Sequence, residues 1–239
     1  MVSRSKNVSL HFKITHISII STNLTFEMQH LEEIKKIART EFIHANGSHR
    51  WDHTLRVSEL AVHIARSQGA NSDIVKAAAF LHDIGRTKED QSNGKICHAK
   101  LGAQMAEKIL NDLNMESKRI KQIVHCVAAH RFRDNISPET TEAKSLFDAD
   151  KLDSIGAVGI GRAFLFAGEN GAHLHNKAVV PENVDRYSED DTAYNEFLIK
   201  LQFIKNRMLT EEGKKIAESR HQFMVDFFER LNKEVDGLI

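Results

Sequence analysis

Ile74-Val75-Lys76-Ala77-Ala78-Ala79-Phe80-Leu81-His82-Asp83-Ile84-Gly85 is the stretch that decides the fold. The apolar run from Ile74 to Leu81 reads as a buried helix, and Asn71-Ser72-Asp73 offers caps for its start. A carboxylate beside an imidazole at the end of such a helix is costly unless something binds it, and a buried Asp implies a partner, often a metal. His53 lies upstream on another apolar helix, and Asp150 lies downstream in Asp148-Ala149-Asp150-Lys151-Leu152-Asp153. Drawn from three helices, these residues form a closed set of N and O ligands for a divalent cation.

Working outward, the clear elements read helical. Met28, Leu31, Ile34, Ala38 and Phe42 predict a helix over 28–44, followed by a turn at Asn46-Gly47-Ser48. The same periodicity predicts helices over 50–68, 98–111 and 116–131, and one running from Glu142 toward Ala157. Arg86 to Lys95 reads as a polar loop. Residues 168–192 lack helical period and read as a surface loop or a lid. Helices are expected over 193–209 and 211–234, with Thr210 as an N-cap. The 193–234 helices can pack within the chain or between chains. Residues 1–27 read as a poorly packed extension, and 28–239 as one all-α bundle.

Composition narrows the function classes. The chain has 239 residues and two prolines, so long helices meet little interruption. Lys plus Arg number 33 and Asp plus Glu number 33, which gives no bulk basic surface for duplex nucleic acid. Cys97 and Cys126 cannot make a disulfide framework, and the composition suits a reducing cytoplasm. No segment approaches the roughly 20 apolar residues that span a bilayer, and the N-terminal stretch lacks the form of a secretory signal.

Four polar residues stand where apolar ones belong. His53 lies four before Val57, His98 four before Gly102, His130 three after Val127 and Asp150 three after Phe147. Each therefore sits on the apolar stripe of its own helix. Such stripes converge when helices build a polar centre inside a bundle. The chain has 14 histidines, and a lone one on such a face is usually a core or rim residue; His11, His16, His30, His44, His49, His63, His173, His175 and His221 are read that way.

Asp52-His53-Thr54-Leu55-Arg56-Val57, then Ala79-Phe80-Leu81-His82-Asp83-Ile84-Gly85, then Asp148-Ala149-Asp150-Lys151-Leu152-Asp153 occur in that order. Together they resemble the H…HD…D pattern of the HD superfamily of metal-dependent phosphohydrolases, over roughly residues 40–165. The continuation through Gly161-Arg162 is similar to small stand-alone members, some of them nucleotide pyrophosphohydrolases. The resemblance implies an HD-domain helical bundle whose metal ligands are His53, His82, Asp83 and Asp150, with Asp83 also orienting the attacking water. It implies that His98 and His130 hold a second metal or the substrate's phosphate. Asp148 is open between an alternative ligand, an acceptor orienting a ligand histidine, and a helix N-terminal acid.

Phosphate-ester hydrolysis needs an activated water and neutralised phosphoryl oxygens, and a divalent cation supplies both. Mixed imidazole and carboxylate donors suit Mn, Co, Ni, Fe or Zn better than an all-oxygen site would; Mg stays among the candidates, with one ion or two. Arg56, Lys88, Lys151 and Arg162 are the expected cations for the substrate, Arg131 and Arg133 further ones. The expected partner is a small phosphorylated metabolite, a nucleotide first, cleaved by pyrophosphate release or by 5′-nucleotidase action. A di-iron oxygenase of related fold and a non-catalytic ligand-binding module are the rival classes. Cyclic-dinucleotide hydrolysis is disfavoured, because no GYP tripeptide follows the HD pair.

Overall fold

The computed structural model describes residues 29–42, 50–92, 94–131 and 136–239. The expectation for residues 1–27, and those for His49 and Arg133, fall outside this set. Helix α1 covers residues 29–40. It is followed by α2 (Trp51–Ser67), α3 (Ser72–Leu81), α4 (Arg86–Gln91), α5 (His98–Asp112), α6 (Ser117–Ala129), α7 (Thr141–Leu152), α8 (Gly156–Glu169), α9 (Ala193–Ile199) and α10 (Glu211–Val235). Among the described residues there is no strand, and the fold is all-α.

Helix α3 is the axis. Asn71 caps it, its side chain accepting from the backbone N–H groups of Asp73 and Ile74. Ile74, Val75, Ala77, Ala78, Ala79, Phe80 and Leu81 are all buried, so it is enclosed on nearly every side. It packs on α2, α7, α6 and α5. The three consecutive alanines keep it thin and let its neighbours approach closely. Whatever follows its last turn must emerge in the middle of the bundle, which places His82 and Asp83 there by construction. Helices α8, α9 and α10 form a second group, joined to the first where α10 packs on α7 and α2.

The sequence reading differs from the structure in three places. The expected polar loop after Gly85 opens with a helical turn and a half, α4. The helix expected to run from Glu142 toward Ala157 stops at Leu152, and α8 starts anew at Gly156, whose φ is +76°. Arg220 enforces that stop: its Nη1 donates to the Leu152 carbonyl at 2.6 Å, and a Cβ on Gly156 would lie 2.9 Å from the Arg220 Cγ. The helix expected over 193–209 breaks at Lys200 (φ −142°, ψ −55°) and continues as a 3-10 segment, Leu201–Arg207. In the irregular segment before α9, His173 N donates to the Glu189 carbonyl at 2.7 Å, and Asn176 Nδ2 to Asp190 at 2.6 Å. Lys177 pairs with Asp236, and the His175 ring packs at a tilt against Tyr194, so these contacts fasten the segment to the α9–α10 end.

Asp148 ties the two helix groups together. It is fully buried, and its carboxylate accepts from Leu209 N (2.9 Å), Thr210 N (2.8 Å) and the Thr210 hydroxyl (2.6 Å). The same hydroxyl oxygen accepts from Gly213 N at 3.0 Å, which is the N-cap of α10. Asp148 therefore serves the start of α10 and faces away from the histidines. Its readings as an alternative metal ligand and as an acceptor for a ligand histidine are corrected on that ground.

Gly213 leaves room for this contact, since a Cβ there would sit 2.2 Å from Asp148 Oδ2. Gly213→Ala is expected to cost ~1–3 kcal/mol by overpacking, roughly 2–10 °C in thermal midpoint. Gly161→Ala is the control, because nothing lies within 4 Å of its Cβ direction and helix propensity favours Ala. Thermal unfolding followed by circular dichroism checks both; equal midpoints for the two variants would contradict the account.

Candidate metal centre

His82 and Asp83 leave the end of α3 at 0 % and 2 % exposure. His53 comes from the first turn of α2 and is fully buried. Asp150 comes from the last turn of α7, and His130 caps the end of α6. His98 is the first residue of α5. The close start of α5 depends on Gly85: a Cβ there would lie 2.6 Å from the His98 carbonyl oxygen and 3.0 Å from Gly102 N. That glycine's requirement is proximity of two backbones, since its φ is an ordinary −86°.

The six side chains form two donor sets that share one carboxylate. In the first, His53 Nε2 lies 3.3 Å from His82 Nε2, 3.4 Å from Asp150 Oδ1 and 3.7 Å from Asp83 Oδ2. His82 Nε2 lies 3.7 Å from Asp83 Oδ2 and 3.9 Å from Asp150 Oδ1. In the second, His98 Nε2 lies 3.0 Å from Asp83 Oδ1 and 3.1 Å from His130 Nε2, which is 3.6 Å from Asp83 Oδ1. The two oxygens of Asp83 thus face different histidine pairs. The groups His53–His82–Asp83 and Asp83–His98–His130 each bring ligand atoms close enough for one ion.

The Nδ1 contacts fix which ring nitrogen faces inward. His53 Nδ1 donates to Asp153 Oδ2 at 2.7 Å, and His82 Nδ1 to the Ala79 carbonyl at 2.7 Å. His130 Nδ1 donates to the Val127 carbonyl at 2.6 Å, and His98 Nδ1 to Glu89 through a very short contact. With every Nδ1 acting as donor, every neutral Nε2 presents a lone pair. The 3.3 Å and 3.1 Å Nε2···Nε2 approaches then bring lone pair against lone pair. A cation beside Asp83 would resolve that repulsion, and the N/O donor chemistry fits a divalent transition metal.

Titration behaviour agrees. Burial depresses the His82 pKa to about 4 and also lowers that of His130, so both rings are neutral and available at neutral pH. Burial works against protonating His53 as well, but hydrogen bonds to Asp150 and Asp153 outweigh it and raise its pKa. Without a cation, the neighbouring Asp150 and Asp153 carboxylates favour a proton on His53. Asp150 is held well below the carboxylate range, where Lys151 and His53 overcome the opposing effect of burial.

The expected substrate cations are placed unevenly. Arg56 donates from Nε to Asp153 Oδ1 (2.8 Å) and from Nη2 to Oδ2 (3.0 Å), and its Nη1 reaches Asp52 at 2.6 Å. Arg162 Nη1 donates to Asp153 Oδ2 at 2.7 Å. Arg56 therefore spends its donors on Asp153 and Asp52, while Arg162 commits Nη1 to the carboxylate behind His53. Lys151 Nζ bonds Asp150 Oδ2 (2.6 Å) and the His130 carbonyl (3.1 Å), at the lip of the first donor set. Lys88 is exposed on α4 and has no ion pair among the described residues. Sequence reasoning gave no role to Asp153, Glu89 or Arg86. Asp153 follows Asp150 by three, a helical spacing that hinted at a shared face. Glu89 and Arg86 lay in what read as a polar loop, where no periodicity singles them out.

The HD domain family model matches residues 50–155. The uncharacterized protein YpgQ of Bacillus subtilis is 31% identical over 216 residues, spanning 89% of this chain and 97% of that protein. The crystal structure of YpgQ in complex with ADP superposes with a TM-score of 0.69 at 29% identity, covering 89% of this chain and 98% of the other. An HD-superfamily hydrolase from Bacillus thuringiensis gives a TM-score of 0.69 at 28% identity, covering 88% and 98%.

Because His53 has a raised pKa and must lose its proton to a cation, metal uptake should release protons near neutral pH. Apparent affinity is expected to fall as pH drops through that raised value, while His82 and His130 keep their lone pairs to lower pH. Calorimetric titration of metal-free protein in buffers of different ionisation enthalpy measures the release. Heats independent of buffer at neutral pH would contradict it.

Proposed function

The chain belongs to the HD-domain superfamily, and on that premise we propose that it is a metal-dependent phosphohydrolase acting on a small phosphorylated metabolite, a nucleotide foremost. The single observation that carries the proposal is the pair of donor sets sharing Asp83, with four Nε2 atoms turned inward. A divalent cation held there supplies an acidified water and neutralises phosphoryl charge. The YpgQ structure with ADP supports a nucleotide as the substrate class.

The chain's own residues divide the remaining work. Asp83 is the proposed catalytic carboxylate: its position between the two histidine pairs suits it both to bind the cation and to accept a hydrogen bond from the attacking water. Lys151, 15 % exposed at the lip, is the best-placed cation for a phosphoryl oxygen, and it can exchange its bond to Asp150 for one to substrate. Arg56 and Arg162 act on the reaction through Asp153 and His53, as positioning residues. For Arg56 this differs from direct phosphate binding and follows from its occupied donors; Arg162 is tied to Asp153 through Nη1. Lys88, on the exposed face of α4, is the further cation proposed for a longer phosphate chain. Hydrolysis forms a bond from water oxygen to phosphorus and breaks the bond to the leaving oxygen, which leaves with a proton. The arrangement of donors, compact and buried, suits a small ligand better than duplex nucleic acid. No helix among the described residues is long and apolar enough to cross a membrane.

Nucleoside triphosphates and monophosphates, incubated with Mn, Co, Ni, Fe, Zn or Mg and followed by phosphorus NMR, provide the test. Pyrophosphate release from a triphosphate, or orthophosphate from a monophosphate, is the expected outcome. Asp83→Ala is expected to lose ~10²–10⁴-fold in rate, the range for removing a group that handles the proton. No turnover with any of these metals, or wild type indistinguishable from Asp83→Ala, rules the hydrolase out. As-purified iron with oxygen uptake would instead identify an oxygenase.

A further inference from the structure

The two halves of the centre are built alike. In each, one histidine gives its Nδ1 proton to a backbone carbonyl three residues earlier: His82 to Ala79, and His130 to Val127. In each, the other histidine gives its Nδ1 proton to a buried carboxylate: His53 to Asp153, and His98 to Glu89. Each of those carboxylates is held by two arginines. Asp153 takes Arg56 and Arg162. Glu89 takes Arg131 Nη1 at 2.8 Å and Arg86 Nη1 at 3.1 Å. The match extends to burial, with the Asp153 and Glu89 side chains 3 % and 9 % exposed.

We propose that Glu89 is a positioning residue: clamped by Arg86 and Arg131, it orients His98 and thereby sets the affinity of the Asp83–His98–His130 group for a divalent cation. The inference deepens the metal-centre reading and rests on it. Three observations carry it. Nothing about packing calls for a charge at Glu89, because a buried ion-pair cluster is seldom more stable than an apolar replacement of similar volume. Helix α4 spans only six residues, too few to be stable by themselves, and its inward face delivers Arg86 and Glu89. A carboxylate on the far nitrogen of a ligand histidine fixes the ring's tautomer and raises its basicity, which is worth ~10–100-fold in metal affinity.

The symmetry breaks at one point, and this ranks the sites. The first set has Asp150 Oδ1 in addition to one Asp83 oxygen. The second has a single carboxylate oxygen, Asp83 Oδ1, with its two imidazoles. The Asp83–His98–His130 site is therefore the weaker one, and it depends more on how well His98 is oriented.

Titration of the metal-free full chain with Co(II), by calorimetry and by visible absorption of the bound ion, reads the sites separately. Wild type is expected to take up two ions in unequal steps. Glu89→Gln, which keeps an oxygen acceptor and loses the charge, should leave the first step unchanged and weaken the second by roughly 10–100-fold. Glu89→Met, which keeps the volume and removes the acceptor, should weaken it at least as much. Asp153→Asn should weaken the first step instead. Thermal midpoints of the metal-free variants identify any that fail to fold, and the Gln and Met variants back each other up. Saturation of wild type at one ion overturns the inference, as does a Glu89 variant whose two steps match wild type or fall equally. Failure of the hydrolase reading looks different: wild type would bind two ions, respond to Glu89→Gln as stated, and hydrolyse nothing.

Discussion

Everything in the bundle answers to the approach of lone pairs around Asp83. Four imidazoles turn Nε2 inward on one carboxylate, in an interior otherwise lined by Ala, Ile, Leu and Phe. Repulsion among those atoms is tolerable only with positive charge between them, whether protons or metal ions. The fold must hold the donors close against that repulsion when no cation is bound. It does so from behind: each ring is fixed by an acceptor at Nδ1, so no histidine can relieve the contact by turning away. The acceptors are in turn immobile, two being helix carbonyls and two being carboxylates gripped by arginine pairs.

Much of this was legible in the sequence. His53, His98, His130 and Asp150 stood out because each occupied a stripe position where an apolar residue was due, and periodicity reports that directly. The end of α3 was legible because a run as apolar as Ile74–Leu81 can only be central. Asp148 misled for the same reason. It too lies on the buried face of α7, yet it is buried against the start of α10, and a stripe does not say which neighbour a residue meets. The partners of Asp153 and Glu89 were not legible at all. Arg56 and Asp153 are 97 positions apart, and their contact exists only once α2 lies against the end of α7. The missed helix breaks have a similar origin. Lys200 interrupts a segment whose apolar spacing stays regular, and the stop after Leu152 is imposed by Arg220, 68 residues later.

Helix direction adds a physical reason for the arrangement. Helices α3, α6 and α7 all end at the centre, delivering His82, His130 and Asp150 from their last turns or caps. A helix C-terminus carries partial negative charge from its unpaired carbonyls and favours a nearby cation. Two of the Nδ1 acceptors, the Ala79 and Val127 carbonyls, belong to those same last turns. Ending a helix at the site therefore provides a ligand, the acceptor that orients it and a favourable field together. Helix α5 runs the other way, since His98 is its first residue and its N-terminal dipole opposes a cation. That end has no carbonyl to fix the ring, because the preceding turn does not exist. A carboxylate from elsewhere must do it, and one with a full negative charge also offsets the unfavourable dipole. Glu89, brought in on α4 and held over α5 by the backbone approach that Gly85 permits, meets that requirement.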